Sequence, residues 1–258
     1  MVASLVDESR RIRTGWRRGL GGALAMALAL CTAVAAAQSV AEPEPYIARY
    51  RVRYRGLSGG VIEFALRKDQ APGQFIYESR AFPSMLGRLM ISKGSHERSV
   101  IVVDADGVRP LSFFAEDGTP DTSKDADLRF DWERHRLTGR AQNKDVDLPL
   151  PDHTQDHLSI QIAVMVDLLR GREPTTYSLV DDAEIKQYEY LRDGAAKVRF
   201  KDKEYDTVIL RSSRVGNSRR SNRYWQATDL GYLPLRAERA SKGDVDLTLD
   251  LEDVKKPQ

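Results

Sequence analysis

The feature that most constrains the fold is a two-residue alternation of apolar and charged side chains near both ends of the chain. In residues 46–54, tyrosine, alanine and valine alternate with arginine, and in residues 245–252, valine and leucine alternate with aspartate, threonine and glutamate. Successive side chains of a β-strand point to opposite faces, so each segment predicts a strand with one buried and one wet face. Because one wet face is basic and the other acidic, we expect these two strands to pair, which also covers an edge of each. The simpler alternative is that each strand has only a solvated outer face.

Further runs of β-favouring residues lie between these two segments, many of them separated by turn signals such as Ala71-Pro72-Gly73 and Asp229-Leu230-Gly231. The runs occupy residues 59–67, 74–82, 96–103, 109–115, 126–132, 136–140, 176–181, 186–191, 196–201, 205–212, 221–227 and 232–240. Strands at this spacing are typical of antiparallel meanders. The sequence therefore predicts an all-β, mainly antiparallel protein whose curved or barrel-like sheet has one apolar and one wet face.

Residues 153–170 are the exception to this β pattern and predict one helix. Residues 158–169 contain no Gly or Pro, and Gly171 stands where a helix C-cap belongs. At the other end Asp152 is a suitable N-cap, and Gln155 completes a variant of the capping box. Apolar side chains surround the helix almost completely, which predicts that it lies buried along the concave face of the sheet or plugs it.

The first 37 residues have the features of a cleavable signal peptide. Five arginines precede an uninterrupted run of small and apolar residues from Leu20 to Ala35, and Ala35-Ala36-Ala37 supplies the small side chains that signal peptidase requires. The apolar run is shorter than the roughly 20 residues that span a bilayer. We therefore expect residues 1–37 to be removed and residues 38–258 to form a single exported β domain in the periplasm, with no transmembrane segment.

Removal of this segment changes both the charge balance and the cysteine count. The chain carries 40 basic and 38 acidic residues, whereas residues 38–258 carry 35 and 36, a net charge of −1. This balance argues against nucleic acid as a partner. The only cysteine is Cys31, so the exported part could form no disulfide and use no thiol chemistry. A lipoprotein signal at Cys31 and a twin-arginine signal at Arg17-Arg18 are weaker matches than an ordinary secretion signal.

Residues 151–157, PDHTQDH, hold two of the four histidines of the chain. In a helix His153 and His157 would lie on one face, close enough to share a metal ion, and His96 and His135 are the remaining histidine donors. Capping alone accounts for the neighbouring carboxylates, however. We therefore interpret the stretch as a helix start and expect neither a metal nor another cofactor, with His153 and His157 as the weaker metal-binding alternative.

The densest basic stretch is residues 211–225. Arg219 and Arg220 could bind anionic envelope material such as lipid head groups, with Tyr224 and Trp225 stacking on it. The alternative, which we favour, is a β-hairpin tip that carries solvated arginines.

Residues 82–91 form an apolar segment that Pro83 and Gly87 interrupt, so that it is neither a good strand nor a long helix. Methionine side chains suit adaptable apolar contacts. The segment is therefore either a lid over a lipophilic cavity or a loop that folds back and fills one end of the core. As a lid it would supply these ligand-binding residues: Phe82, Met85, Leu86, Leu89 and Met90.

Four short motifs follow one another along the chain: Tyr50-x-Val52 with Gly56 and Gly60, Phe130-Asp131-Trp132, Asp156-His157-Leu158-Ser159, and Trp225 with Gly231-Tyr232-Leu233-Pro234. Together they resemble the bacterial exported proteins grouped as domain of unknown function (DUF) family 3108, over about residues 46–251. The resemblance implies a periplasmic, mainly antiparallel β protein of curved or barrel-like form, and it supplies no catalytic residues. Its pattern in the third motif involves Asp156, Leu158 and Ser159 but not the histidines, which favours a helix start.

These observations favour a non-enzymatic role. The one Gly-x-Ser-x-Gly match in residues 38–258, Gly56 to Gly60, lies between two predicted strands and not between a strand and a helix, so it is no nucleophile elbow, and these residues contain no phosphate-binding glycine loop. Because small barrels hold ligands in their concave face, we expect binding or carriage of an apolar or amphipathic molecule of the cell envelope, with peripheral membrane contact. The alternative is a structural or interaction protein whose helix fills the interior and whose outer face meets a partner. An enzyme ranks third.

Overall fold

The structure, a computed structural model, describes residues 41–89, 92, 94–181 and 183–257. The predicted signal peptide, residues 1–37, lies outside them, so its cleavage stays a prediction. The described part of the chain contains one α-helix, α1 (Ser159–Leu169), short 3₁₀ turns at Gly87–Leu89, Thr122–Lys124 and Thr228–Leu230, and fourteen strands. The strands are β1 (Tyr46–Tyr54), β2 (Leu57–Lys68), β3 (Gln74–Pro83), β4 (His96–Asp104), β5 (Gly107–Glu116), β6 (Ala126–Asp131), β7 (Arg136–Ala141), β8 (Lys144–Pro149), β9 (Thr176–Asp181), β10 (Glu184–Phe200), β11 (Lys203–Arg214), β12 (Asn217–Ala227), β13 (Leu233–Ser241) and β14 (Asp244–Lys255).

All of these strands belong to one antiparallel sheet in the order β8-β7-β6-β5-β4-β3-β2-β1-β14-β13-β12-β11-β10-β9. Each strand therefore pairs with its neighbours in the chain, except that β1 pairs with β14 and that α1 separates the two edge strands, β8 and β9. The sheet curves but does not close into a barrel. The prediction of a mainly antiparallel, curved all-β fold with one buried helix is confirmed.

The predicted pairing of the first and last strands is confirmed as well. Antiparallel register places Arg51 opposite Asp250, and on the wet face Arg51 forms an ion pair with Glu252 while Arg53 pairs with Asp250. The arginine side chains are well exposed, so each pair contributes no more than about 1 kcal/mol and acts mainly on register. The opposite face of β1 carries buried Tyr46, Ala48 and Tyr50.

Two strand predictions differ from the structure. Residues 186–191 and 196–201 were predicted as two strands but belong to one long strand, β10. The strand continues through residues 193 and 194, where its register against β11 shifts between Arg192 and Ala195. The intervening Asp193-Gly194 is thus a bulge within a strand and not a turn. Strand β8 was not predicted, although its Val146 is buried.

The helix is shorter than predicted, Ser159–Leu169 instead of residues 153–170. It starts later because Gln155 forms a β-bridge with Leu179 of β9 and because His153 has a φ of 58°, outside the helical range. At the other end Gly171 has a φ of 68°, which confirms the predicted C-terminal glycine cap. Eight residues of α1 are buried, and each large apolar side chain among them contributes roughly 1.5–3 kcal/mol, so packing holds this helix. No helix among the described residues is long and apolar enough to cross a bilayer.

Candidate functional site

The PDHTQDH stretch connects the two halves of the sheet. Gln155 lies between them: its backbone N–H donates to Ser178 of β9 at 2.8 Å, and its carbonyl accepts from Val180 at 2.9 Å. Its side-chain Nε2 donates to the carbonyl of Val108 in β5, also at 2.8 Å. Thr154, Gln155 and the following Asp156 are buried. The stretch is therefore a polar link inside the molecule, and Gln155 does not act in a capping box.

Asp156 caps the helix, a role predicted for Asp152. Its Oδ1 accepts hydrogen bonds from the backbone N–H groups of Leu158 and Ser159, both at 2.8 Å. Its Oδ2 accepts from the Ser99 hydroxyl on β4 at 2.6 Å. Burial raises the pKa of this carboxyl above its ordinary value, and the hydrogen bonds oppose that shift. Asp156 thus connects the start of α1 to β4: two of its hydrogen bonds are with the backbone at the helix start, and the third is with Ser99 of β4.

The two histidines of the stretch do not converge. His153 lines a cavity with Asp106 and Tyr177, whereas His157 lines a different one and stacks on Phe113, with ring centroids 6.2 Å apart. Because α1 begins after both, the helical spacing that would place them on one face is not formed. Within the described residues, no group of three or more His, Cys, Asp or Glu side chains has an arrangement that could hold a metal ion.

An apolar cavity of about 180 Å³ lies between α1 and the inner face of the sheet. We call it the central cavity. Strands β1, β2, β10, β12, β13 and β14 and helix α1 supply its walls, through Tyr50, Phe64, Ile160, Gln161, Val164, Tyr190, Asn222, Tyr224, Gln226, Pro234, Ala237, Glu238, Arg239, Leu247 and Leu249. An engineered apolar cavity of ~150 Å³ in another protein stays dry and binds benzene. The central cavity is therefore large enough for one ring or a short stretch of acyl chain.

The polar groups of the central cavity are few and mostly engaged. The Tyr50 hydroxyl donates to the carbonyl of Pro234 at 2.8 Å, and Tyr190 stacks on Tyr224 with centroids 6.3 Å apart. Burial raises the pKa of both stacked tyrosines, so their hydroxyls stay neutral at physiological pH. In contrast, the Oε1 of buried Gln226 has no hydrogen-bond partner among the described residues. A buried amide oxygen without a donor costs about 1–3 kcal/mol, so Gln226 is an unsatisfied polar side chain on the wall of the central cavity.

A chain of hydroxyl groups positions the helix wall of the central cavity. Tyr46 donates to the Tyr77 hydroxyl at 3.1 Å, and Tyr77 donates to Oε1 of Gln161 at 3.0 Å. Both rings are buried, and Phe64 stacks on Tyr77 with centroids 5.9 Å apart. These contacts fix the orientation of Gln161 beside the cavity.

The residues of the predicted lid lie elsewhere. Phe82, Met85 and Leu86 are exposed and line none of the cavities described above. Leu89 ends the 3₁₀ turn, and Met90 is outside the described residues. Gly87 packs so closely on Gly59 of β2 that an added Cβ would come within 1.9 Å of its carbonyl oxygen. The segment therefore folds against the end of the β1–β2 hairpin.

The basic stretch forms the predicted hairpin, with β11 and β12 joined at Val215-Gly216. Arg219 and Arg220 are exposed near this tip. Trp225 does not line the central cavity; its ring lies under the guanidinium of Arg236, 5.6 Å from centroid to Cζ. The structure thus separates Trp225 from the neighbouring Tyr224 and Gln226, which do line the cavity.

Sequence reasoning missed Gln226, Ala237 and Leu249 as cavity residues. A signal was present, because a glutamine that alternates in phase with Tyr224 on a strand must point to the same inner face.

A family model matches residues 49–250, under the description "protein of unknown function (DUF3108)". The chain belongs to this DUF3108 family. The resemblance drawn from the sequence motifs is thereby confirmed, and it covers nearly all of the described residues. None of the proteins with curated descriptions matches the chain significantly.

Two solved structures match this DUF3108 chain, and one of them is similar enough for its fold to be compared. A β-barrel-like protein of domain of unknown function DUF1849 from Brucella abortus superposes with a TM-score of 0.51 and 13% identity, over 84% of this chain and 99% of that one. A crystal structure of MucB gives a TM-score of 0.35 and 12% identity, over 85% of this chain and 56% of MucB, a likeness too weak to carry an argument. The Brucella structure supports the barrel-like fold and says nothing about function.

Proposed function

We propose that this DUF3108 protein is exported to the periplasm and there binds an apolar or amphipathic molecule of the cell envelope in the central cavity, without catalysis. The observation that carries the proposal is the cavity itself. Its lining is apolar on most sides, and one wall carries Gln226, whose buried Oε1 no described residue satisfies.

The size and polarity of the central cavity define the ligand class. About 180 Å³ accommodates a ring system or part of an acyl chain but not a whole phospholipid, so a larger amphipathic ligand would leave its head group outside. A hydroxyl or amide N–H on the buried part would donate to Gln226. Export rests on the sequence features of residues 1–37 and on no structural observation.

A cavity-filling variant tests the proposal. Ala237 lies on the cavity wall, so Ala237→Leu should occupy part of the space, and Ala240→Leu on the same strand is the matched control. With naphthalene, whose own fluorescence reports binding, we expect saturable binding that Ala237→Leu weakens about fivefold or more, because overpacking costs ~1–3 kcal/mol. Absence of saturable binding, or equal weakening in both variants, would refute the cavity as the binding site.

A second pair of ligands tests the role of Gln226. The wild-type protein should prefer 1-naphthol, which has a hydroxyl donor, over naphthalene by up to about tenfold, the range of one net hydrogen bond. Gln226→Leu should remove this preference while retaining naphthalene binding. An unchanged preference would show that another group recognises the hydroxyl.

The alternative function, a structural or interaction protein, is favoured by a different observation. Eight residues of α1 are buried, so the helix fills most of the space inside the sheet. If neither naphthalene nor 1-naphthol binds, the central cavity is a packing defect, and the outer surface is then the functional part.

A further inference from the structure

Four hairpin tips lie side by side at one end of the sheet. In their order across the sheet they are the tips of the hairpins β3–β4, β1–β2, β13–β14 and β11–β12. Backbone hydrogen bonds connect each tip to the next: Ser84 N–H to the carbonyl of Gly59 at 3.1 Å, Arg55 N–H to Asp246 at 2.8 Å, and Lys242 N–H to Arg219 at 2.7 Å. They therefore form one continuous surface. We call it the basic rim.

The basic rim carries most of the exposed large apolar side chains of the described chain. Six of the eight such residues lie on it: Leu57, Phe82, Met85, Leu86, Val215 and Val245. Met85 is the most exposed, with 87% of its surface accessible. Clustered exposed apolar groups mark an interaction surface more often than isolated ones do.

Basic side chains are interleaved with these apolar ones: Arg55, Arg88, Arg214, Arg219, Arg220 and Lys242. All six are exposed, and no ion pair among the described residues involves them. The acidic residues of the four tips are Asp244 and Asp246, and Asp246 is already paired with Arg239 at 2.9 Å. The four tips themselves therefore carry more basic than acidic side chains, and the nearest further carboxylates are those of the adjoining β5–β6 loop, whose Gly118 lies next to Gly94: Asp117, Asp121 and Asp125.

Two lysines at the opposite end of the sheet, in contrast, form ion pairs with carboxylates. There Lys201 pairs with Asp253 at 2.7 Å, and Lys203 pairs with Asp229 at 3.5 Å. These lysines are thus neutralised by neighbouring carboxylates, whereas, among the described residues, the six basic side chains of the four tips are not.

From this combination we infer that the basic rim docks on the surface of an anionic lipid bilayer. Arginine and lysine pair with acidic head groups while apolar side chains enter the boundary between head groups and acyl chains. Four narrow tips that each present one to three apolar side chains suit insertion between lipids. An acidic polypeptide without apolar side chains would explain the arginines but not the apolar side chains beside them.

The inference goes beyond ligand binding and does not depend on it. It nevertheless has a consequence for the central cavity, because Asn222, Arg239 and Leu247 line that cavity and lie on strands that end at the basic rim. Docking would turn this side of the cavity toward the bilayer, from which an apolar molecule could enter.

Vesicle co-sedimentation tests the docking, with protein produced from the full-length sequence and its processed state checked by intact mass. The vesicles contain phosphatidylglycerol and phosphatidylcholine, or phosphatidylcholine alone. Each basic residue near an anionic surface strengthens partitioning about fivefold, so Arg219→Gln/Arg220→Gln should weaken binding to the anionic vesicles about 25-fold. The matched control, Lys203→Gln/Lys255→Gln, removes the same charge at the opposite end and should leave binding unchanged.

A second variant separates apolar insertion from charge. In high salt, which shortens the screening length to ~3 Å at 1 M, the arginine effect should disappear while Met85→Ser/Leu86→Ser still weakens the residual binding. These side chains are exposed, so the variants should keep the thermal unfolding curve of the wild type. Ala237→Leu should not change vesicle binding, which separates docking from occupation of the cavity.

Three results would overturn the inference. The first is that the wild type fails to bind anionic vesicles, and the second is that both double charge variants lose binding equally. The third is that the arginine-dependent binding is found on immobilised polyglutamate and not on vesicles. The last result would assign the basic rim to an acidic protein partner.

Discussion

Replacement of Asp156 by alanine should destabilise the protein by about 2–4 kcal/mol at neutral pH. The substitution removes the acceptor of the Leu158 and Ser159 N–H groups, both buried, and of the Ser99 hydroxyl. Two unsatisfied buried N–H groups cost about 1–3 kcal/mol each, and relief from burying a carboxylate offsets part of that.

Asp156→Asn is the matched control, because the asparagine Oδ1 can accept the same two N–H groups and its Nδ2 can donate to the Ser99 hydroxyl. We expect it to cost less than about 1 kcal/mol at neutral pH. The two proteins should differ in pH dependence. Since burial raises the pKa of Asp156, the folded state binds the proton more tightly than the unfolded state does. The wild type should therefore gain stability relative to Asp156→Asn as pH falls from 7 through that raised pKa towards about 4, and the advantage should be lost as pH rises again.

Urea unfolding at pH 7 and pH 5, followed by the fluorescence of Trp132 and Trp225, measures these differences. The expected order at pH 7 is wild type and Asp156→Asn close together, and Asp156→Ala well below both. If Asp156→Ala were as stable as the wild type, the capping role would be wrong. If Asp156→Asn were as damaged as Asp156→Ala, the charge and not the hydrogen bonds would hold the helix.

Three further substitutions test other contacts by the same unfolding assay. Gly139→Ala should lower the free energy of unfolding by more than about 3 kcal/mol, because φ is 136° and the new Cβ would lie 2.1 Å from a carbonyl oxygen of β6. Gly171→Ala, at φ 68° with open space around it, should lower it by only about 1 kcal/mol. Similar losses in the two variants would show that the strands move to relieve the contact on β6. Tyr77→Phe should cost about 1–2 kcal/mol through the loss of two buried hydrogen bonds, and no loss would mean that they are not net stabilising. Arg53→Ala should lower the free energy of unfolding by less than about 1 kcal/mol, and not at all at high salt, since its ion pair with Asp250 is exposed to solvent. A larger loss of stability would indicate that Arg53 has a structural role beyond setting the strand register.

The architecture was predictable where one physical signal dominated. Alternation from Tyr46 to Tyr54 predicted both the strand and its buried face, and opposite charges on the wet faces predicted its pairing with the last strand. Asp193-Gly194 misled because a turn and a bulge use the same residues, and only the partner strand decides between them.

The candidate site was less predictable because it depends on contacts between residues distant in the chain. Asp152 and Asp156 are equally good caps by sequence, and the bridge between Gln155 and Leu179 determines which one is used. The sequence of the apolar segment at Phe82 indicates a lid or a loop that fills one end of the core, whereas the structure leaves Phe82, Met85 and Leu86 exposed beside the β1–β2 hairpin. Nothing local in the sequence shows that α1 leaves a cavity beside Gln226, since its volume depends on six strands that meet there.

Native mass spectrometry of the protein, purified from the producing cells without detergent or chelator, tests the central claim most directly. The claim predicts a native mass above the denatured mass by one discrete ligand that organic solvent removes. Ala237→Leu should reduce the occupied fraction, and Ala240→Leu should keep it. Equal native and denatured masses for the wild type, or an occupied fraction that is undiminished in Ala237→Leu, would contradict the assignment of the central cavity as a ligand site.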